Sequence, residues 1–81
     1  MWVEVLFFAA ARDAAGRADA RLEVPEGTSA QRALELLGSR YPNLHDLVPS
    51  LRLAVNEEFV AAELVLRDGD CLALIPPVSG G

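Results

Sequence analysis

The apolar and polar positions of this chain repeat with two periods, two residues and about 3.6, and each change of period marks a new element. Trp2 to Ala9, rich in β-branched and aromatic residues, predicts a strand. Glu4 shares a face with Trp2, Leu6 and Phe8, so Val3, Val5, Phe7 and Ala9 are expected to face the core. Ala10 to Ala15 has helical composition with Gly16 as its stop, predicting one short helical turn. A second strand follows at Ala18 to Val24, where Ala20, Leu22 and Val24 alternate with Asp19, Arg21 and Glu23, and it pairs with the first as a hairpin with a long connection.

Pro25-Glu26-Gly27 is turn chemistry, and Thr28 with Gln31 three residues on predicts a capping box at a helix start. Ala30, Ala33, Leu34 and Leu37, with Tyr41 a turn further, form one apolar stripe; Arg32, Glu35 and Arg40 take the wet side, and Pro42 ends the helix. Leu44 to Ser50 is expected to be irregular, pinned by Leu44, Leu47 and Val48. Leu51, Leu53 and Val55 alternate with Arg52 and Ala54 as a third strand, and Asn56-Glu57-Glu58 turns into a short strand at Phe59 to Ala61. Leu64-Val65-Leu66 reads as a further pin, and Arg67-Asp68-Gly69-Asp70 as a sharp turn launching the last strand, Cys71 to Ile75. Strand, strand, helix, strand, short strand, strand suits an α+β domain with a mixed sheet wrapped over one helix.

Composition narrows the function more than the fold. Eighty-one residues make one domain. A single cysteine excludes an internal disulfide, and no apolar run approaches the roughly 20 residues of a membrane span. The start of the chain lacks the basic flank and cleavage pattern of a signal peptide, so a cytoplasmic protein without a membrane partner is expected. Seven basic residues against twelve acidic give a formal charge of −5, which argues against nucleic acid as a partner and for a basic one. All seven are arginines, so an activated acyl group on this chain would meet no side-chain amine of its own.

Catalytic motifs are nearly absent. Without lysine there is no GxxxxGK loop, and GxGxxG is missing, so nucleotide hydrolysis is expected in a partner. His45 is the only histidine and reads as an ordinary loop residue; no metal site is expected. Cys71 reads as a plain strand residue whose thiol is held up by the neighbouring Asp68 and Asp70, with a sulfur-relay role as the alternative. Glu57, Glu58, Glu63, Asp68 and Asp70 form either a solvated acidic face or a field that steers a basic partner.

The last six residues, Pro76-Pro77-Val78-Ser79-Gly80-Gly81, carry the most specific signal. The prolines remove two amide donors and favour an extended backbone, and Gly80 and Gly81 have no side chain to block entry into a narrow pocket. Fully extended, such a segment reaches about 20 Å. A delivery arm and a frayed end both fit the glycines taken alone. If the first and last strands are neighbours, Leu6, Phe8, Ala73 and Ile75 form an outward apolar patch at the root of this arm, joined by Phe59, unless a loop of the same chain covers it.

Val5-Leu6-Phe7-Phe8-Ala9 with Arg12-Asp13 and Gly16, then Ala54-Val55-Asn56, Leu66, Asp68-Gly69-Asp70 and the Pro-Pro-Val-Ser-Gly-Gly ending together resemble the small subunit of molybdopterin synthase. The resemblance runs nearly end to end. It implies a ubiquitin-like β-grasp domain over 1–75 and an extended tail over 76–81. It also implies that Gly81 is adenylated by an ATP-dependent activating enzyme, converted to a thiocarboxylate, and donates its sulfur to a cyclic pterin phosphate within the large subunit. The chain itself would bind no cofactor and act as the non-catalytic carrier of a heterotetramer formed with the large subunit. Carried onto this sequence, Gly81 bears the sulfur and Gly80 is its thin approach. Phe8, Phe59 and Ile75 pack on the partners, and Pro76, Pro77, Val78 and Ser79 enter with the tail. Two positions depart from the family pattern: Ile75 stands where an aromatic is frequent and Cys71 where an acidic residue is common. A carrier for thiazole, cysteine or tRNA thiolation, a ubiquitin-like protein modifier, and a passive interaction module remain alternatives.

Overall fold

The computed structural model describes residues 1–77. Strand β1 (Trp2–Phe7) is followed by helix α1 (Ala9–Ala15), strand β2 (Asp19–Glu23), the main helix α2 (Ala30–Arg40) and a short helix α3 (Pro42–His45). A 3-10 turn at Val48–Ser50 then leads into β3 (Arg52–Val55), β4 (Glu58–Phe59) and β5 (Cys71–Ile75). The five strands form one sheet in the order β2-β1-β5-β3-β4. The central pair, β1 and β5, is parallel, and the other pairs are antiparallel.

Alternation along the strands decides which face is covered. Val3, Val5 and Phe7 of β1, Ala20 and Leu22 of β2, Leu53 and Val55 of β3, and Leu72 and Leu74 of β5 are buried on one face. They share a core with the stripe Ala30, Ala33, Leu34 and Leu37 of α2, and with Ala11, Leu44 and Leu66. Ala9 departs from the expected inward phase. It takes φ 47° at the bend from strand to helix and is exposed, and Ala11 supplies the buried methyl instead. Gly16 closes α1 at φ 75°, where its amide donates to the Arg12 carbonyl, as its position after the short helix predicts.

Other differences from the sequence reading have local causes. The cap of α2 is Ser29, whose hydroxyl accepts from the Arg32 amide, and the hydroxyl of buried Thr28 donates to the Pro25 carbonyl instead. Pro42 both ends α2 and opens α3, because a missing amide is tolerated in a first helical turn. The Leu44 to Ser50 connection is therefore mostly helical rather than irregular. In the Leu64–Leu66 segment only Leu66 is buried, while Val65 bridges Ser29 and stays exposed with Leu64.

The feature that aims β5 is a set of hydrogen bonds joining two turns. Asn56 and Glu57 both take positive φ, 51° and 73°, in the two-residue connection between β3 and β4, the mirror-image turn that suits the twist of a hairpin. The side chain of Asn56 donates to Asp70 Oδ1 and accepts from the Cys71 amide, both at 3.0 Å. Asp70 Oδ2 accepts from the Arg67 amide at 2.8 Å, and Gly69, at φ 85°, donates to the Trp2 carbonyl. Asp68 accepts from the Trp2 amide. Thus Asn56 and the Asp68-Gly69-Asp70 turn lock the start of β5 to β1 and β3, and the direction in which β5 delivers Ile75 follows. Asp70→Ala is expected to lower stability by about 0.5–1.5 kcal/mol, the net worth of hydrogen bonds whose exposed donors turn to water when the acceptor is lost. An unchanged urea midpoint would show that the backbone alone holds the turn.

Candidate functional site

The second face of the sheet carries no helix, and its residues follow from register. Leu6 is paired with Ala73, Ala73 with Ala54, and Ala54 with Phe59, giving one row across β1, β5, β3 and β4. One step towards the C-terminal end of β5, Ile75 is paired with Arg52. Phe8 continues β1 with extended dihedrals, and its amide donates to the Leu74 carbonyl at 3.3 Å, which sets it beside Ile75. The structure thus brings together Leu6, Phe8, Ala73, Ile75 and Phe59, as expected if β1 and β5 are neighbours.

Small residues form the floor of this patch and large ones its rim. Ala73 and Ala54 are only 9% and 5% exposed although no helix covers them, since larger neighbours close over them. Phe8 and Phe59 are 46% and 58% exposed, so among the described residues no loop of the chain covers the patch. Leu6 and Ile75 are half-buried. Two rings standing this far into water beside a shallow apolar floor leave an exposed apolar patch of the kind that marks candidate contact surfaces. Beyond Ile75, Pro76 is half-buried and Pro77 exposed. Val78, Ser79, Gly80 and Gly81 lie outside the described residues.

Arg52 is the residue of this patch that the sequence reading left as a mere polar alternate. Its guanidinium lies 4.1 Å from the centroid of the Phe59 ring, a cation–π contact. Its alternation with Ala54 carried the signal, but only the pairing of β3 with β5 puts it next to Ile75. At the other end of the face Arg21 is paired with Glu4 at 3.2 Å and lies over Trp2.

The remaining candidates separate from the patch or change their meaning. Cys71 is half-buried and its thiol is pushed up, first by burial and then by the charges of Glu4 and Glu57, rather than by Asp68 and Asp70 as the sequence suggested. A thiol so placed is a weak nucleophile. Of the acidic residues late in the chain, Asp68 and Asp70 accept hydrogen bonds from neutral N–H groups within turns, which fixes their positions while leaving their negative charge in the surface field. His45 ends α3 beside Asp46, its ring 77% exposed, and among the described residues no group of histidine, cysteine and carboxylate side chains is arranged to hold a metal ion. No described helix is long and apolar enough to cross a membrane.

Residues 5–81 match the ThiS family. The chain belongs to the ThiS family. The molybdopterin synthase sulfur carrier subunit of Arabidopsis thaliana is 38% identical over 79 residues, covering 98% of this chain and 82% of that protein. The crystal structure of SAMP1 from Haloferax volcanii is 30% identical, with a TM-score of 0.92 over the whole of both chains. A ubiquitin from Caldiarchaeum Subterraneum, 17% identical, reaches a TM-score of 0.68 over 100% of this chain and 98% of that one, a likeness of fold alone. This ThiS-family chain has the ubiquitin-like β-grasp fold, a mixed five-stranded sheet with its main helix on one face. The resemblance drawn from the Phe7-Phe8, Asp68-Gly69-Asp70 and Gly80-Gly81 motifs is borne out at the level of family and fold.

Proposed function

We propose that this protein is a sulfur carrier and the small subunit of a molybdopterin synthase. The observation that carries the reading is the open apolar face of Phe8, Phe59 and Ile75 at the point where β5 passes into Pro76-Pro77, in a chain with full-length likeness to a named sulfur carrier subunit. A carboxylate is a poor electrophile until it gains a leaving group. In the proposed cycle the Gly81 carboxylate attacks the α-phosphate of ATP on an activating enzyme, releasing pyrophosphate and forming an acyl-adenylate. Sulfur from a donor then displaces AMP to leave a thiocarboxylate. Within the large subunit the thiocarboxylate sulfur bonds to a carbon of a cyclic pterin phosphate, and water then hydrolyses the acyl–sulfur bond, leaving the sulfur on the pterin and restoring the Gly81 carboxylate. This chain supplies the group, its reach and its docking face, while ATP and the catalytic residues belong to the partners. On this reading residues 1–75 are the docking domain, 76–81 the inserted tail, and the working assembly a heterotetramer with the large subunit in the cytoplasm.

The test is to incubate the chain with its host's activating enzyme, ATP and a sulfur donor and to weigh it intact. A mass gain equal to replacing one oxygen by sulfur is expected, and an unchanged mass alongside a demonstrably active enzyme removes the carrier reading. Cys71→Ser is expected to load sulfur as the natural chain does, because the raised thiol leaves little thiolate to relay sulfur. Loss of loading in that variant, with an unchanged melting temperature, would instead assign Cys71 to the relay.

A second reading is favoured by the close match to SAMP1, which is the small archaeal modifier protein 1 of Haloferax volcanii. A protein modifier uses the same activated terminus but gives it to an amine of a target protein. Isopeptide adducts on other proteins in the same incubation, in place of the thiocarboxylate, would select it.

A further inference from the structure

We propose that Arg52 selects the partner: the protein surface that docks on the open sheet face carries an Asp or Glu side chain opposite this guanidinium, within an otherwise apolar contact. The proposal rests on the docking role given above to the Phe8, Phe59 and Ile75 face.

Geometry makes Arg52 unavoidable for a partner. It is the register neighbour of Ile75 and its guanidinium is stacked on Phe59, so a surface that covers both of those side chains also covers the cation between them. Covering a cation removes its water, and that cost is recovered only if the partner supplies an acceptor. Among the described residues no carboxylate of this chain forms an ion pair with Arg52, whereas Arg21, the other arginine on this face, is already paired with Glu4. The acceptor must therefore come from outside. A planar guanidinium fixed against a ring offers its remaining N–H groups in a set direction, which suits a carboxylate better than a single carbonyl.

There is also room for the acidic side chain. A cavity of about 420 Å³ opens at this edge of the sheet, lined by Arg52 and Phe59 together with Leu34, Leu51 and Val60. Arg52 is the only charged residue in its lining, so a carboxylate entering it has the guanidinium as its natural counter-charge. Most of the protein's surface field is negative, with a formal charge of −5, and repels an acidic partner. A local exception at the centre of the contact therefore discriminates: it rewards a partner that is basic at its periphery and acidic at one central point, and penalises one that is basic or purely apolar there.

The experiment measures binding of the full chain to its host's molybdopterin synthase large subunit by titration calorimetry, for the natural sequence, Arg52→Lys, Arg52→Leu and Arg52→Glu. Thermal melts confirm that each variant is folded, and the intact-mass assay on each reads sulfur loading separately. Arg52→Glu and Arg52→Leu are expected to weaken binding by at least about tenfold, with Arg52→Lys, which keeps the charge and loses the planar stacked fork, falling between Arg52→Leu and the natural chain. Arg52→Leu binding as tightly as the natural chain, with Arg52→Glu no weaker, overturns the acidic counterpart while leaving the carrier reading in place. If the natural chain itself fails to bind the large subunit, the carrier reading and this inference fall together.

Discussion

A chain lacking Gly81 is expected to lose sulfur loading and sulfur transfer by at least about a hundredfold, although it still ends in a glycine carboxylate. The reacting group is chemically the same in both chains, so the loss is one of position. The folded domain is anchored where Ile75 closes β5, and a partner that grips Phe8, Phe59 and Ile75 fixes the origin from which the tail is measured. Removing one residue draws the carboxylate back by about 3.5 Å. Displacements of about 1 Å already cost on the order of a hundredfold when reacting atoms must meet in line. Gly81→Ala separates reach from width, since it keeps the length and adds one methyl beside the reacting carbonyl. If a narrow pocket is what glycine serves, this variant is impaired at normal length. Intact mass after incubation with the activating enzyme reads the first step, and sulfur transfer to the pterin reads the second. Equal loading of the shortened and full-length chains would show that the terminus is not the activated group.

The physical reason for expecting an aimed tail lies in the two turns that hold β5. Asn56 and Asp70 are fourteen residues apart and nothing in their local sequence links them, yet one side chain bonds the other and the amide of Cys71. Asn56 also suits the positive φ of its turn, so a single residue sets both the hairpin and the start of β5. The parallel pairing of β5 with β1 then carries Ile75 to the side of Phe8, and the prolines follow directly.

Much of this was legible in the sequence because a half-covered sheet writes its faces as alternation. The inward set Val3, Val5 and Phe7, the stripe on α2 and the Gly16 stop all needed only local period and turn chemistry. The outward apolar patch needed one further assumption, that the first and last strands are neighbours, and the register shows that they are. What stayed hidden depends on partners distant in sequence. Thr28 and Ser29 are equally good caps by composition, and burial of Thr28 against the Pro25 carbonyl decides between them. Leu64 and Val65 look like core residues, but the loop gives its carbonyls to the first amides of α2 and turns only Leu66 inward. Arg52 reads as solvent-facing until β3 is laid beside β5, when it becomes part of the apolar patch.

Phe8→Arg is expected to weaken binding to the large subunit by about a hundredfold while leaving the fold intact. Phe8 is the residue before α1, its side chain makes no capping hydrogen bond, and nearly half of it is already in water, so replacing the ring costs the isolated domain little. Binding is different, because a partner must cover that ring. Losing burial of the part now in water removes about 1–1.5 kcal/mol. The substitution also puts a second guanidinium on a face that already presents Arg52, and a partner matched to one cation has no acceptor for another. Together these come to roughly 3 kcal/mol, which is about two decades in affinity. Phe8→Ala isolates the first contribution and is expected to bind about tenfold more weakly than the natural chain, so the gap between the two variants measures the cost of the misplaced charge. Calorimetric titration gives the affinities, and thermal unfolding confirms that both variants melt with the natural chain. If Phe8→Arg binds as well as the natural chain, Phe8 is not part of the docking surface, and the patch must be redrawn around Phe59 and Ile75.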